Sequence, residues 1–249
     1  MCSRLFVEVP PQTLRLFEQL EVHDIFLIEW QHPLLICLGY QTLVRQNDYF
    51  FLAPDEQLPI IEHLAAGLGY QPADHKTLPP AYSSEYSNLG LRYIIREFEK
   101  SRFNVNPWNR LVFLPLSWTS ISRDEATRLS ASENKLPCTV HTVSISVACT
   151  ALMRIMTREK RGSRLRARVT AELVNAITHH YFDTSYEGDY MDIPPDTQPW
   201  TEKEVTEMNN AIKDIESWKM REGEEWIRSE LIRAVSGKIG YHELSCGKE

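Results

Sequence analysis

The 249-residue sequence has no long hydrophobic run and no cysteine pattern of a cross-linked protein. No stretch approaches the roughly eighteen consecutive apolar residues that indicate a membrane span. Residues 1–22 carry acids and prolines where a signal peptide has an apolar block, so secretion is not expected. The five cysteines lack CxxC spacing, which favours reduced thiols over disulfides or a zinc site. We therefore expect a cytoplasmic protein that does not enter a membrane.

The sequence also lacks the short motifs that identify a catalytic nucleophile. Three serines, Ser117, Ser120 and Ser122, follow an apolar stretch, but no GxSxG turn surrounds them. Cys138 and His141 are three residues apart, and residues at that spacing on a strand point to opposite faces. The sequence therefore identifies no hydroxyl or thiol as the nucleophile.

Charge is distributed unevenly along the chain. The net charge is −7, which argues against binding of nucleic acid over the whole surface. Between residues 183 and 230 there are fourteen Asp and Glu against five Lys and Arg, so the acidic excess lies near the C-terminus. A local basic face on such a protein remains able to hold a chain of phosphates.

Positive charge is concentrated in residues 154–168, where Glu159 is the only acid. Arginine offers a permanent charge and two parallel donors, which suit a phosphate group. The alternative is a solvated helix whose charges form salt bridges with the acidic C-terminal helices. The predicted phosphate or RNA contacts are Arg161, Arg164 and Arg168, flanked by Arg158 and Lys160.

The segment that follows, residues 183–192, is acidic and rich in tyrosine. Glu187 and Asp189, on either side of a glycine, are predicted to hold a guanidinium or amine group of a small-molecule substrate. Tyr186 is predicted to donate or accept a proton, so these three residues are the candidate catalytic set. The alternative is an ordinary turn that caps the long helix before it.

Hydrophobic periodicity predicts an α/β fold, with a small mixed sheet and a helical C-terminal part. The predicted strands are residues 23–28, 48–52, 91–96, 111–116 and 139–147. The predicted helices are residues 12–22, 31–38, 56–68, 148–157, 163–181 and 226–235, with one more that begins at the capping box of Thr201. The tail after Gly237 is expected to be frayed. We predict an α/β part over residues 1–110, then a strand and helices over 111–249 that carry the basic helix and the acidic loop.

Residues 12–70 resemble the nucleotidyltransferase fold, in a degenerate form found among fungal proteins. Members carry Gly-Gly or Gly-Ser after a helix and then Asp-x-Asp on a strand, and the two acids hold Mg²⁺ against the nucleotide phosphates. Here Gly39 is followed by tyrosine, and Asp48 is followed by tyrosine and phenylalanine, so the second acid is missing. The resemblance implies the fold, whereas the missing acid argues against ordinary ATP-dependent transfer. Asp48 is predicted to be an acid at a strand edge or in a turn.

Three classes of function remain open. The first is a metal-independent transferase that takes an activated substrate from a nucleic acid, such as aminoacyl-tRNA, and needs no cofactor. The fungal arginine-containing cyclodipeptide synthases are a family of this kind, and their arginine would suit the acidic loop. The second is a nucleotidyltransferase with an altered metal site that binds a nucleotide near Asp48. The third is an inactive nucleotidyltransferase-fold protein whose charges form only internal salt bridges.

Overall fold

The computed structural model describes residues 9–31, 34, 48–73, 89–97, 108–130, 134, 136–183 and 200–245. The strands in these ranges are β1 (Leu27–Trp30), β2 (Asp48–Ala53), β3 (Leu91–Glu97), β4 (Trp108–Pro115), β5 (Ala126–Arg128) and β6 (Val140–Val143). The α-helices in the same ranges are α1 (Pro11–Val22), α2 (Leu58–Gly67), α3 (Leu116–Thr119), α4 (Ile145–Arg158), α5 (Arg164–Tyr181), α6 (Glu202–Ser217) and α7 (Glu225–Val235).

The strands form one mixed sheet in the order β3-β4-β2-β1-β6-β5. β2 and β4 are parallel, as are β1 and β6, while the other three neighbouring pairs are antiparallel. The predicted α/β class with a mixed sheet is therefore confirmed. The predicted boundary after residue 110 falls inside β4, and the sheet takes strands from both sides of it. The division into two parts remains a prediction.

Each face of the sheet is covered by its own group of helices. Along β2, Phe51 contributes to a core with Leu16 and Phe17 of α1, and Ile61 of α2 belongs to the same core. Phe50 contributes to a second core together with buried residues of α4 to α7. This alternation follows from the two-residue period of a strand. None of the helices in the described part of the chain is long and apolar enough to cross a membrane.

Several predicted helix boundaries agree with hydrogen bonds in the structure. The Ser163 hydroxyl accepts a hydrogen bond from the backbone N–H of Arg166 and caps α5. The Thr201 and Glu204 side chains form the predicted reciprocal capping box of α6. Gly223 has φ of +80° and separates α6 from α7, as glycine readily does.

Other boundaries differ from the sequence-based predictions. The strand predicted over residues 23–28 begins only at Leu27, because Asp24 adopts φ of +50° in the turn after α1. This strand, β1, ends at Trp30. The predicted strand 139–147 ends at Val143, because Ser144 caps α4. The short strand β5 was not predicted, since three residues carry too little periodicity.

The tail after Gly237 was predicted to be frayed, and this prediction is wrong for residues 238–245, the part of the tail that the structure describes. Leu244 is fully buried in the core beneath α4 to α7, and its carbonyl oxygen accepts a hydrogen bond from Arg166. Tertiary packing thus orders the chain as far as Ser245. The predicted helix 31–38 and Gly39 lie almost wholly outside the described residues.

Candidate functional site

The carboxylate of Asp48, the acid that the resemblance associates with a metal site, is bound by Arg110. Its Oδ1 accepts hydrogen bonds from the Arg110 backbone N–H at 2.9 Å and from Nε at 3.1 Å. Its Oδ2 accepts one from Nη2 at 2.5 Å. Asp48 begins β2 and lies in register with Arg110 on β4, so the parallel pairing of the strands brings the two side chains together. Asp48 is thus the first residue of a strand in the middle of the sheet, with β4 on one side and β1 on the other.

The Asp48–Arg110 pair is enclosed by the protein. The Arg110 side chain is 0% exposed and the Asp48 side chain 9%, and the guanidinium lies 5.9 Å from the centre of the Phe50 ring. A Mg²⁺ ion that used Asp48 would have to displace this guanidinium from both carboxylate oxygens. Over the described ranges, no group of three or more His, Cys, Asp or Glu is placed to hold a metal ion. The structure therefore gives Asp48 a counter-charge from the protein itself.

The basic segment 154–168 is bent in its middle. α4 ends at Arg158, Gly162 lies in the turn with φ of +77°, and α5 begins at Arg164. The helices predicted over residues 148–157 and 163–181 are thus separate, with Gly162 in the turn between them. Arg164 and Arg168 are one turn apart on α5, whereas Arg161 lies in the preceding turn. The segment is thus a corner between two helix ends.

Two arginines of this segment are buried and bonded internally. Arg154 donates from Nε and Nη2 to the two carboxylate oxygens of Glu224 at 2.8 and 2.6 Å, and from Nη1 to the Ser120 carbonyl at 3.1 Å. Arg166 donates to backbone carbonyls, among them that of Leu244 at 2.6 Å. These contacts join α4 and α5 to the C-terminal segments. The alternative of an internal salt bridge therefore applies to Arg154, whereas Arg166 is held by backbone carbonyls.

The remaining cations lie at the surface, and we call Arg158, Lys160, Arg161 and Arg164 the basic corner. All four are exposed. Within the described part of the chain, the side chains of Lys160 and Arg161 make no hydrogen bond or ion pair. The Arg158 side chain donates to the carbonyls of Arg154 and Trp118, which fixes its place beside the turn. Lys160 and Arg161 therefore carry positive charge that pairing within the described part of the chain does not account for.

Arg158 is exposed as a residue, but partial desolvation of its guanidinium lowers its pKa, and the neighbouring charges have opposite effects on this pKa. The negative charge of Glu159 raises this pKa, while the positive charge of Arg154 lowers it. An arginine starts so far above neutral pH that it stays charged in either case. Arg158 thus adds a permanent charge at the edge of the basic corner.

Arg168, the fifth predicted phosphate contact, is tied to a buried acid. Its Nε donates to Oε1 of Glu172 at 3.0 Å, and the same oxygen accepts a hydrogen bond from Nε2 of Gln31 at 3.0 Å. The Arg168 side chain is 40% exposed and that of Glu172 only 9%. Arg168 therefore lies between the exposed basic corner and the interior.

Residues 184–192 of the acidic loop lie outside the described residues, so Tyr186, Glu187 and Asp189 remain predicted site residues. Its first residue, Asp183, accepts a hydrogen bond from Lys203 of α6 at 2.5 Å.

The Cys138 and His141 side chains do not form a nucleophilic pair, in agreement with the prediction that they point to opposite faces of a strand. Burial, with a smaller contribution from the Glu21 charge, raises the pKa of the Cys138 thiol to about 12. Cys138 belongs to the core beneath α1 and α2, whereas the His141 ring packs against Phe26, which contacts the opposite core. At neutral pH the thiol is protonated and the imidazole is on the other face of the sheet.

Fold and site together define an α/β protein with an enclosed ion pair at one end of its sheet and a basic corner between two helices. No protein-family model and no curated protein matches the chain. The chain is similar to the solved structure of the antibiotic-resistance factor ANT(2'')-Ia, with 12% identity and a TM-score of 0.38 over 93% of this chain and 95% of that one. It is also similar to an antigenic nucleotidyltransferase-like protein from Paracoccidioides brasiliensis, with 12% identity and a TM-score of 0.39 over 82% and 87% of the two chains. Because both TM-scores lie below 0.5, neither likeness carries a conclusion about chemistry.

Two site residues were missed by sequence reasoning. Arg110 interrupts an apolar strand, and a charge in such a place signals a buried partner, although the strand does not say which acid it is. Gln31 has no comparable signal, because its partner Glu172 is far away in the sequence. Only the packing of α5 near the end of β1 brings these two side chains together.

Proposed function

We propose that the basic corner binds phosphate groups of an RNA, and that the protein is a transferase for a group which that RNA carries in activated form. The observation that carries this proposal is the exposure of Lys160 and Arg161 on an acidic protein, while Arg154 and Arg166 are engaged in internal contacts. A guanidinium or ammonium that contacts a phosphate releases a condensed counterion, which favours binding. The corner is small, which fits local contact with a few phosphates.

The N-terminus of α5 supports the same proposal. Backbone N–H groups at the start of a long helix give it a partial positive charge, which adds to the side-chain cations within the first turn. Arg164 occupies this first turn, and the exposed turn 160–162 directly precedes it. A phosphate at this place would meet positive charge from both sources.

Aminoacyl-tRNA is the most concrete substrate for such a protein. Its acyl ester is already activated, so an attacking amine forms the C–N bond while the ester C–O bond breaks, and the proton of the amine passes to the released tRNA hydroxyl. No nucleotide triphosphate is needed, which agrees with the engagement of Asp48 by Arg110. The most specific form of this proposal is the formation of arginine-containing cyclodipeptides. In this reaction Glu187 and Asp189 would hold the cationic group of the substrate, and Tyr186 would transfer the proton.

Binding of total tRNA, with and without aminoacylation, tests the proposal. The variant for the corner is Lys160/Arg161/Arg164→Ala. A matched control, Lys213/Lys219/Lys238→Ala, removes the same number of positive charges from exposed positions outside the corner. Binding is measured by fluorescence anisotropy at a series of salt concentrations, because the slope against salt reports the number of phosphate contacts.

We expect the wild-type protein and the control to bind with a steep salt dependence and the corner variant to lose most of the affinity. Charged tRNA is then incubated with the wild-type protein, and release of tRNA with formation of a peptide bond is followed by mass spectrometry. Absence of tRNA binding by the wild-type protein would contradict the proposal. Stabilisation by a nucleotide only with Mg²⁺ would then support an altered nucleotidyltransferase, and no ligand effect would support an interaction protein.

A further inference from the structure

A row of charged side chains leads along α5 from the surface into the protein. Arg164, Arg168 and Glu172 follow one another at intervals of four residues, so they lie on one side of the helix about 6 Å apart along its axis. Arg164 is exposed, Arg168 is half-buried, and Glu172 is buried. The row thus connects the basic corner with the interior of the fold.

Glu172 is fixed at the inner end of this row by contacts from two elements. Its Oε1 accepts hydrogen bonds from Arg168 Nε and from Gln31 Nε2, both at 3.0 Å. Gln31 follows β1 and is itself buried, so its amide holds the carboxylate at a defined place relative to the sheet. The helix row and the sheet are therefore linked through one oxygen atom.

The backbone of Gln31 is in an unusual conformation. Its φ is +57°, in the left-handed region that residues with a side chain seldom adopt. Such conformations persist where surrounding contacts hold them, and they are frequent at binding and catalytic sites. The hydrogen bond from Gln31 to Glu172 is one contact that holds this residue.

We propose that Glu172, held by Gln31, positions the guanidinium of Arg168 for a phosphate that has bound at the basic corner. A bond to Nε fixes the plane of the guanidinium, and with it the direction of the two nitrogens at its end. Glu172 and Gln31 are positioning residues, and Arg168 is the innermost phosphate contact. This inference rests on the proposed function, because it names the residues that orient one contact of the same site.

The positioning role and simple charge make opposite predictions for the removal of Glu172. The carboxylate weakens the attraction of Arg168 for phosphate, so on charge alone its removal tightens RNA binding. If Glu172 orients Arg168, its removal weakens RNA binding although a negative charge is lost. The sign of the change in RNA affinity therefore distinguishes a positioning role of Glu172 from a simple effect of its charge.

The test uses deacylated total tRNA and the variants Glu172→Met, Glu172→Gln and Arg168→Lys, with Glu216→Met as the control. Glu216 is exposed on α6, and its replacement removes one negative charge away from the row. We expect Glu172→Met to bind about tenfold more weakly than wild type, since a charged hydrogen bond that orients the guanidinium is lost. Glu172→Gln keeps a carbonyl acceptor and should bind like wild type, and Glu216→Met should bind as well as wild type or better.

Arg168→Lys keeps the charge but loses the planar fork, so we expect weaker binding with an unchanged salt slope. Thermal unfolding shows whether each variant is folded. If Glu172→Met does not fold, the binding of Arg168→Lys decides whether the positioning role holds. Binding of Glu172→Met at or above the wild-type affinity, or of Arg168→Lys at the wild-type affinity, would overturn the positioning role alone. Absence of tRNA binding by the wild-type protein would overturn the proposed function together with this inference.

Discussion

The enclosed pair at the sheet end and the basic corner use the same kind of side chain for opposite purposes. Arg110 is fully buried and its charge is balanced by Asp48, which is also nearly buried. Lys160, Arg161 and Arg164 are exposed and follow one another around a turn. The charge of a buried arginine is fixed to one internal partner, whereas exposed charges remain able to meet a mobile ligand. Burial therefore distinguishes an arginine with a structural role from the cations that are candidates for ligand binding.

The largest effect is expected at the enclosed pair. Asp48→Ala leaves the Arg110 charge buried without its counter-charge, and we expect a loss of about 3–5 kcal/mol in the free energy of unfolding. Lys160→Ala, at the exposed corner, should change it by less than about 0.5 kcal/mol. Urea denaturation measures both variants. A stable Asp48→Ala protein would remove the contrast between the two regions.

The next effect is expected at Arg154, which belongs to the basic segment but is buried. Arg154→Met removes the bidentate contact with Glu224 and leaves the Ser120 carbonyl without this donor, so we expect a loss of about 2–3 kcal/mol. Arg161→Met is the matched control from the same segment. Equal stability of the two variants in urea would show that burial does not divide the segment as inferred.

A smaller effect, dependent on pH, is expected at Glu125. Burial raises the pKa of this carboxyl, but hydrogen bonds from Ser122 and Arg221 and the charge of Arg221 outweigh that effect, so the pKa lies below its ordinary value of 4.5. The stabilisation is therefore present above about pH 4.5 and is lost as the pH falls through the lower, folded-state pKa.

Glu125→Gln should accordingly be less stable than wild type at pH 6, and the difference in free energy of unfolding should shrink below pH 4.5. Urea denaturation at several pH values measures this difference. A difference that stays constant between pH 6 and pH 3 would argue against the lowered pKa.

The smallest effect on stability is expected for a single residue of the basic corner. Arg161→Ala removes no hydrogen bond or ion pair with another described residue, so the free energy of unfolding should stay within about 0.5 kcal/mol of wild type. Its tRNA binding should weaken, and the salt slope should fall by about one phosphate contact. A destabilised Arg161→Ala protein would mean that the residue has a structural role.

Elements with a local signal were predicted well. Ser163 and Thr201 stand directly before the helices that they cap, and Gly162 marks the turn between α4 and α5. These features depend on contacts within a few residues, which the sequence displays. The order of the tail at Leu244 was not predicted, because it depends on burial against helices that are distant in the sequence.

The candidate site was predictable only in part for the same reason. The sequence located the cluster of cations but did not show that Arg154 and Arg166 face inward while Lys160 and Arg161 face solvent. Helical spacing states which side chains share a face of α5, yet it does not state what covers that face. The groups that accept hydrogen bonds from Arg154 are the Glu224 carboxylate, between α6 and α7, and the Ser120 backbone carbonyl, after α3.

By itself, the sequence determined the α/β class, the starts of α5 and α6, the basic segment and the absence of a second acid after Asp48. Only the tertiary structure decided that Asp48 is paired with Arg110, that Glu172 meets Gln31, and which cations remain exposed. Caps, turns and periodicity arise from neighbours along the chain, so composition and order reveal them. Ion pairs and burial arise from strand register and helix packing, which bring together residues far apart in the sequence.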